Sequence, residues 1–568
     1  MTASALRILY AHPRLLGSIA DWSGLNDPDK QSWLIEHTKE MGFNAIWFSP
    51  FFETSQLEVD RNGKKVSGSL YAITDHFHLG KEFSASPGET DDGKRWKLDD
   101  ANIRHFTKQA ANEGVTVMGD LVFDHVARDH PLALQENAQV EHIKQTGKNI
   151  QPIRGSNNTL IGMRYDSDDG QNRDFYFKFR RNDDFTLAMP GVWTKKWDDA
   201  QKKTVDWFEA WDDVAQTNYA SPEAQNFFVK GENGQKGYWK QQIDWYLDRG
   251  FTGFRCDAAY MVPASVWSDL IQYAHDRAPD VVFMGETLGD NGQANALQNA
   301  KITINGKQRE AFDLAMLPTY DWNFKDGWMI GEINRMQKIA HFGGAGFPDN
   351  LDTPHTVAQW AFDAFKSLPE AQKNKVVADI CARNYAVAAL IGNSVYMQLG
   401  YEYCRDRISV FREPQAAAYW KMLEATRGDS TNPLNLLARI RAINDFKEEL
   451  HEAHADVRLD KVSYCGDSGR LLKLECTLTH DETGRETGKL VMFVNERPED
   501  GPIKIKESDL DAGMTANFNR LALGDECADP EHLCEIIDVA AFYQPLPGAE
   551  MPNRPDISTS PPPPAPNP

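Results

Sequence analysis

Residues 239–259 read WKQQIDWYLDRGFTGFRCDAA. Trp239, Ile243 and Tyr246 or Leu247 recur at helical spacing. Gly250 follows where a left-handed residue ends a helix. The apolar run from Phe251 starts at once and carries Arg255 and Asp257. An amphipathic helix that feeds straight into a buried strand is the unit of a parallel sheet with helical crossovers.

The unit recurs on both sides. Upstream, Asp27-Pro28 predicts a helix start, Trp33, Leu34 and Met41 form its apolar side, and Gly42 precedes the strand FNAIWFSP. Asp99 or Asp100 is expected to open the next helix, with Ile103, Phe106 and Ala110 on one face; Gly114 ends it before VTVMGDLVF. Downstream, Val266, Leu270 and Ala274 lead to Pro279 and the strand VVFMGET. Sustained from about Leu6 to about Asn444, this alternation predicts an α/β fold, a β/α barrel rather than a small doubly wound sheet.

The spacing breaks once. About 100 residues rich in Asp, Asn, Gly and Trp separate Phe123 from Gly250, too long for a plain loop. They predict a subdomain inserted after strand three. Its tryptophans, Trp193, Trp197, Trp207 and Trp211, are expected to form a small core of their own. A last amphipathic helix follows Asn432-Pro433, with Leu436, Leu437, Ile440 and Ile443. The period then becomes two: Leu472, Leu474, Cys476 and Leu478 alternate, and KLVMFVN returns after the turn-rich THDETGRETG. The expected organisation is a barrel at 1–127 and 221–450, the insert at 128–220, a C-terminal β domain at 451–550 and a disordered Pro-rich tail at 551–568.

Lys plus Arg number 61 and Asp plus Glu 83, a net charge of −22. That balance speaks against nucleic acid and anionic membranes as partners. The start, MTASALRILYAHPRLLGS, lacks the charged and apolar regions of a signal peptide. The most apolar stretch, Ala386–Gly392, is too short to span a bilayer. The seven cysteines show no CxxC pair and read as reduced thiols. A cytoplasmic protein is expected.

Four strand ends carry charge in apolar surroundings: Asp120, Arg255 with Asp257, Glu286, and Asp352. Catalytic residues of β/α barrels sit at such ends. Retaining glycoside cleavage needs one ionised and one protonated carboxyl. Arg255 lies two residues before Asp257, on the same face of a strand, and a guanidinium there would keep Asp257 anionic. Asp257 is therefore the candidate nucleophile. Glu286, between Phe283, Met284 and Leu288, is expected to have a raised pKa and to serve as the acid/base. The His pairs, His76 with His78 and His125 with His130, are read as non-metal residues.

The order and spelling of DLVFDH, GFRCDAA, GETLG and FPDNLDT resemble the four short stretches that mark glycoside hydrolase family 13, the α-amylase family. The resemblance covers the barrel, the insert and the C-terminal β domain. It implies a (β/α)8 TIM barrel, α-linked glucans or malto-oligosaccharides as substrate, and a retaining double displacement that needs no cofactor. By resemblance Asp257 is the nucleophile, Glu286 the acid/base, and Asp352 the third carboxylate, which binds sugar hydroxyls and stabilises the transition state. Arg255, Asp120, His125, Tyr71 and Asp75 match the substrate-binding positions, with Tyr71 stacking under the reacting sugar.

Two positions depart from the family pattern. Asp124 stands where many members have an Asn that binds calcium; Asp is also a hard oxygen ligand, so Ca2+ stays open, but no second ligand is legible. Leu351 stands where a His usually bonds the reacting sugar, and Leu cannot donate. The maltose 1-phosphate-using maltosyltransferase branch also departs here, and Asp129-His130-Pro131 resembles the run after the first stretch both in that branch and in oligosaccharide-cleaving glucosidases. Against that branch, the chain opens directly on the first strand. The alternatives to a hydrolase are thus a transglycosylase, with or without a sugar-phosphate donor, and a non-catalytic glucan-binding member. The intact carboxylates argue against the last.

Overall fold

The computed structural model describes residues 6–25, 31–57, 68–154, 160–178, 188, 191–198, 203–287, 291–317, 319, 343–353, 356–405, 429, 431–453, 456–465, 469–479, 485–505, 519–523, 534–536 and 539–545. Eight parallel strands close into a barrel: β1 (Arg7–Ala11), β2 (Ala45–Phe48), β3 (Thr116–Leu121), β4 (Gly253–Cys256), β5 (Val282–Gly285), β6 (Leu314–Met316), β7 (Gly343–Gly346) and β8 (Ser394–Gln398). Each strand pairs with its sequence neighbours, and β1 with β8 completes the ring.

The crossover helices lie outside: α1 (Trp33–Glu40), α2 (Asp92–Asn112), α3 (Tyr238–Leu247), α4 (Ala264–Arg277), α5 (Asn291–Gln298), α6 (Val357–Ala364), α7 (Glu370–Ile391) and α8 (Leu437–Ala453). Gly42 and Gly250 stop α1 and α3 with φ of 76° and 86°, as their positions predict. Two helix starts differ from expectation. The described part of α1 begins at Trp33 behind Ser32, and the Asp27-Pro28 start lies outside the described residues. α2 opens at Asp92, not at Asp99 or Asp100: Asp91 caps it by accepting from the Lys94 amide at 3.1 Å. Asp99 is instead a buried mid-helix acceptor for Ser84 Oγ and the Ala85 amide.

Between β3 and α3 the chain leaves the barrel, as expected. It forms a helix at Pro131–Thr146, a three-stranded sheet from Ile150–Arg154, Leu160–Asp166 and Asn172–Asp174, and a hairpin of Gly191–Asp198 with Lys203–Ala210. The side chains of Trp193, Trp197 and Trp207 lie outside the described residues. After α8 a five-stranded antiparallel sheet forms the C-terminal β domain, with Leu471–Thr479 and Glu486–Asn495 paired in its middle. The Pro-rich tail lies outside the described residues.

The barrel interior follows from period two. Ile8 and Tyr10, Ala45 and Trp47, Val282 and Met284, and Leu314 and Met316 point inward and pack with Met118, Ala345, Phe347, Leu351 and Tyr396. The next inward positions toward the carboxyl ends are charged: Asp120 follows Met118, Arg255 follows Gly253, and Glu286 follows Met284, each by two. Outward-facing Gly119 makes room for the ring of Tyr246 on α3, whose hydroxyl donates to the Asp120 carbonyl at 3.0 Å. A Cβ at residue 119 would lie 2.4 Å from that ring. Gly119→Ala is expected to cost about 2–3 kcal/mol in a denaturant titration, as overpacking does. Gly88→Ala, with no neighbour within 4 Å of the added carbon, serves as the neutral control.

Candidate active site

Strand register assembles the charged residues. In the β3–β4 ladder Arg255 stands opposite Asp120. The Asp257 amide donates to the Leu121 carbonyl at 2.9 Å, and the Glu286 amide to the Cys256 carbonyl at 3.1 Å. One guanidinium, 1% exposed, then meets three carboxylates. Arg255 Nη1 bonds both oxygens of Asp120 at 3.1 and 3.2 Å and also Asp257 Oδ1. Its Nη2 lies 2.7 Å from Glu286 Oε1. Two rings complete the nest: the guanidinium carbon is 5.3 Å from the Trp47 ring and 5.5 Å from the Tyr71 ring. Trp47 Nε1 and the Tyr71 hydroxyl each donate to Asp120 Oδ2 at 3.3 Å.

The electrostatics correct the expectation of one low and one high carboxyl. Burial pushes Asp120, Asp257 and Glu286 all up, each to about 7, against the pull of Arg255. The single guanidinium is shared three ways, so it does not hold Asp257 low. The three titrate as one set that keeps a proton to near neutrality. Nor is Glu286 surrounded by apolar groups alone. Its Oε2 accepts from the Ala258 amide at 2.6 Å while Oε1 faces Arg255.

His125 stands beside this set. Its Nδ1 lies 2.8 Å from Asp124 Oδ2 and its Nε2 lies 3.1 Å from the Tyr71 carbonyl. Both partners only accept, so both ring nitrogens donate and the ring is an imidazolium. Burial pulls its pKa down, but Asp124, Asp257 and the Tyr71 carbonyl together push it up to about 9. The Trp211 ring packs edge-on to His125 at 5.8 Å and also against Ala72, Ala127 and Val214, a small cluster apart from the main core.

Asp124, His125 and Asp257 bring donor atoms within 4.8 Å of one another, the grouping among the described residues that comes nearest to a metal site. It does not suit calcium, which takes six to eight oxygens. Both His125 nitrogens are already donors, and Asp124 Oδ1 is the buried oxygen left without a hydrogen-bond partner.

The other expected residues sit further out. Asp352 follows β7 in the loop that enters α6, and its side chain is exposed. Its charge acts on the hydroxyls of Tyr10, Tyr260 and Tyr396, which places it in the field of the same pocket. Asp75 is not brought onto Arg255. Its Oδ2 pairs with His78 Nδ1 at 2.7 Å and its Oδ1 accepts from the Phe77 amide at 2.8 Å. Burial pushes its carboxyl up, but these partners outweigh that and hold it below its usual range. His76 and His130 share the Tyr238 hydroxyl at 3.2 and 3.3 Å.

Several participants were missed in the sequence. Trp47 and Tyr10, stacked at 4.2 Å, had a usable signal, since both sit near strand ends. Tyr260 did too, three residues after Asp257. Its hydroxyl is buried without a hydrogen-bond partner and faces the charges of Glu286, Asp124, Asp257 and Asp352.

A family model of the alpha-amylase catalytic domain matches residues 21–382. The chain belongs to the alpha-amylase family. The solved Eubacterium rectale Amy13B aligns over 95% of this chain and 96% of its own, with a TM-score of 0.57 and 14% identity. An alpha-amylase from Lactobacillus plantarum aligns over 95% and 99%, with a TM-score of 0.53 and 16% identity. Both likenesses concern the fold. In sequence, an alpha-1,4-glucan:maltose-1-phosphate maltosyltransferase from Burkholderia pseudomallei (strain K96243) is 23% identical over 217 residues, 38% of this chain and 17% of that protein. No helix among the described residues is long and apolar enough to cross a membrane.

The Asp124–His125 pair has a pH signature. Its folded value lies above the ordinary 6.5, so its stabilisation is complete below about 6.5 and is lost as pH rises through about 9. Asp124→Asn is expected to destabilise the protein by about 2 kcal/mol at pH 6, read as a lowered Tm. The gap between variant and wild type should shrink by pH 10. A gap that stays constant with pH would show that the ring is not charged.

Proposed function

We propose that the protein is a retaining α-glucan-active enzyme that cleaves α-1,4-glucosidic bonds through a covalent glycosyl-enzyme. The observation that carries this is the buried Arg255 with Asp120, Asp257 and Glu286 upon it, at the carboxyl ends of an alpha-amylase barrel. In the first step an ionised Asp257 oxygen attacks the anomeric carbon while Glu286 gives its proton to the departing oxygen. In the second, Glu286 takes a proton from water or from a sugar hydroxyl, whose oxygen displaces Asp257. A coupled set holding a proton near neutrality supports this division, because attack and protonation need opposite states of adjacent carboxyls. Substrate entering between Glu286 and its donors decides where that proton resides. Asp120 with Tyr71 steadies Arg255, His125 sets a positive charge beside Asp257, and Asp352 is the third carboxylate for the sugar hydroxyls.

A second reading is transfer, with a sugar phosphate as donor or product. The similarity to the Burkholderia maltosyltransferase favours it. Hydrolysis and transfer differ only in which hydroxyl reaches the glycosyl-enzyme. The buried thiols of Cys256, Cys381, Cys404 and Cys476, unpaired among the described residues, fit a reducing, cytoplasmic setting.

The test is incubation with maltoheptaose, with and without inorganic phosphate, read by mass spectrometry. Shorter sugars alone mean hydrolysis. Shorter and longer sugars together mean transfer, and a sugar phosphate formed only with phosphate means the phosphate donor. Asp257→Asn is expected to lower kcat by about 10^3-fold or more. For wild type, kcat/KM should fall about tenfold per pH unit above pH 7, as the last proton of the carboxyl set leaves. Unchanged sugars in wild type would reject an α-1,4-glucan donor.

A further inference from the structure

Asp352 sits at the end of the loop that leaves β7. Three consecutive residues there point inward. Asp349 is 1% exposed; its Oδ1 accepts from Gln398 Nε2 and its Oδ2 from the Val357 amide, both at 2.8 Å. Asn350 is 4% exposed. Its Nδ2 donates to the Tyr396 hydroxyl at 3.2 Å, and its Oδ1 accepts from the amides of Asp352 at 2.9 Å and Thr353 at 3.0 Å. Leu351 packs among the inward rings of the barrel.

Tyr396 and Gln398 are two apart on β8 and share one face. Two neighbouring loop residues thus grip two alternate residues of one strand. Asp349 also takes the amide that begins α6, so the segment is tied on both sides of Asp352. The loop has little freedom left, and among its described residues Asp352 is the one whose side chain is exposed.

We propose that Asp349 and Gln398 form a positioning pair that sets where Asp352 stands in the sugar subsite, without either touching the reacting atoms. The inference rests on the reading of Asp352 as the third carboxylate of the reaction. The chemistry of the pair is specific. Two donors converge on the two oxygens of Asp349, which suits an acceptor-only carboxylate. Gln398 Oε1 is buried without a hydrogen-bond partner. A half-turn of that amide would present Oε1 instead of Nε2, so an Asn at 349 can be served on both sides: its oxygen by Val357, its NH2 by Gln398. An Ala can be served on neither.

The experiment compares Asp349→Ala, Asp349→Asn, Asp352→Asn and the double variant Asp349→Ala/Asp352→Asn. All are assayed on an α-maltosyl fluoride, an activated donor that keeps weak variants measurable, with Tm recorded alongside. Asp349→Ala is expected to lower kcat by about 30- to 100-fold, with KM within about threefold, as a misplaced reacting group does. Asp349→Asn should stay within about threefold of wild type. In the Asp352→Asn background the Ala substitution should add less than about twofold, because its route to the reaction is already gone. Should Asp349→Ala fail to fold, Gln398→Ala takes its place in the same cycle, with a smaller expected loss of about tenfold.

The pair is overturned if the Ala effect persists in full on Asp352→Asn, or if Asp349→Asn is as damaging as Asp349→Ala. An Asp352→Asn enzyme with unchanged kcat overturns the reading of the site, and this inference with it.

Discussion

A single buried guanidinium holds the centre of this molecule. Arg255 is fully enclosed, and Asp120, Asp257 and Glu286 reach it from three successive strands. None of these carboxylates would be stable there alone, because a buried charge without a partner costs several kcal/mol. Together they exceed the cation that gathers them. Burial first, and then the excess of negative charge, explains why they retain a proton, and that retained proton is what acid catalysis needs. The ladder that places Arg255 opposite Asp120 therefore does more than close the barrel; a slip of one residue would turn the whole set outward.

A second cation completes the balance. His125 adds positive charge beside Asp257, and Asp124 keeps it charged. The substitution of Asp for the Asn of many relatives thus gains a meaning that needs no metal. Where an Asn side chain is neutral, Asp124 fixes the ring as a permanent double donor. Asp213, just ahead of the segment that pairs with the strand of His125, adds a half-buried carboxyl to the same field.

The barrel was legible because its signals are local and repeated. Helix, Gly and apolar strand recur at a regular spacing, and each instance checks the others. The identities of the strand-end charges were legible for the same reason, since inward positions are otherwise apolar. What was not legible was anything set by contact across the barrel. The pKa of Asp257 depends on how many carboxylates share Arg255, and that number is a three-dimensional fact. Asp75 matched a pattern in sequence, and the pattern did not announce its pairing with His78, three residues on. The start of α2 went to Asp91 because Asp99 had partners elsewhere, in Ser84 and Ala85.

Leu351 shows how a departure from a family pattern is absorbed. In place of a donor the chain has an apolar group, and the structure uses it as one. Leu351 joins Tyr10, Trp47, Phe347 and Tyr396 in the inward cluster directly beneath the charged layer. Phe347 and Tyr396 stack at 4.5 Å, and Trp47 meets Tyr396 edge-on at 5.5 Å. A dry aromatic floor excludes water from under Arg255 and strengthens every charge interaction above it. Leu351 thereby seats its loop on that floor, next to the Asn350 side chain that donates to the Tyr396 hydroxyl.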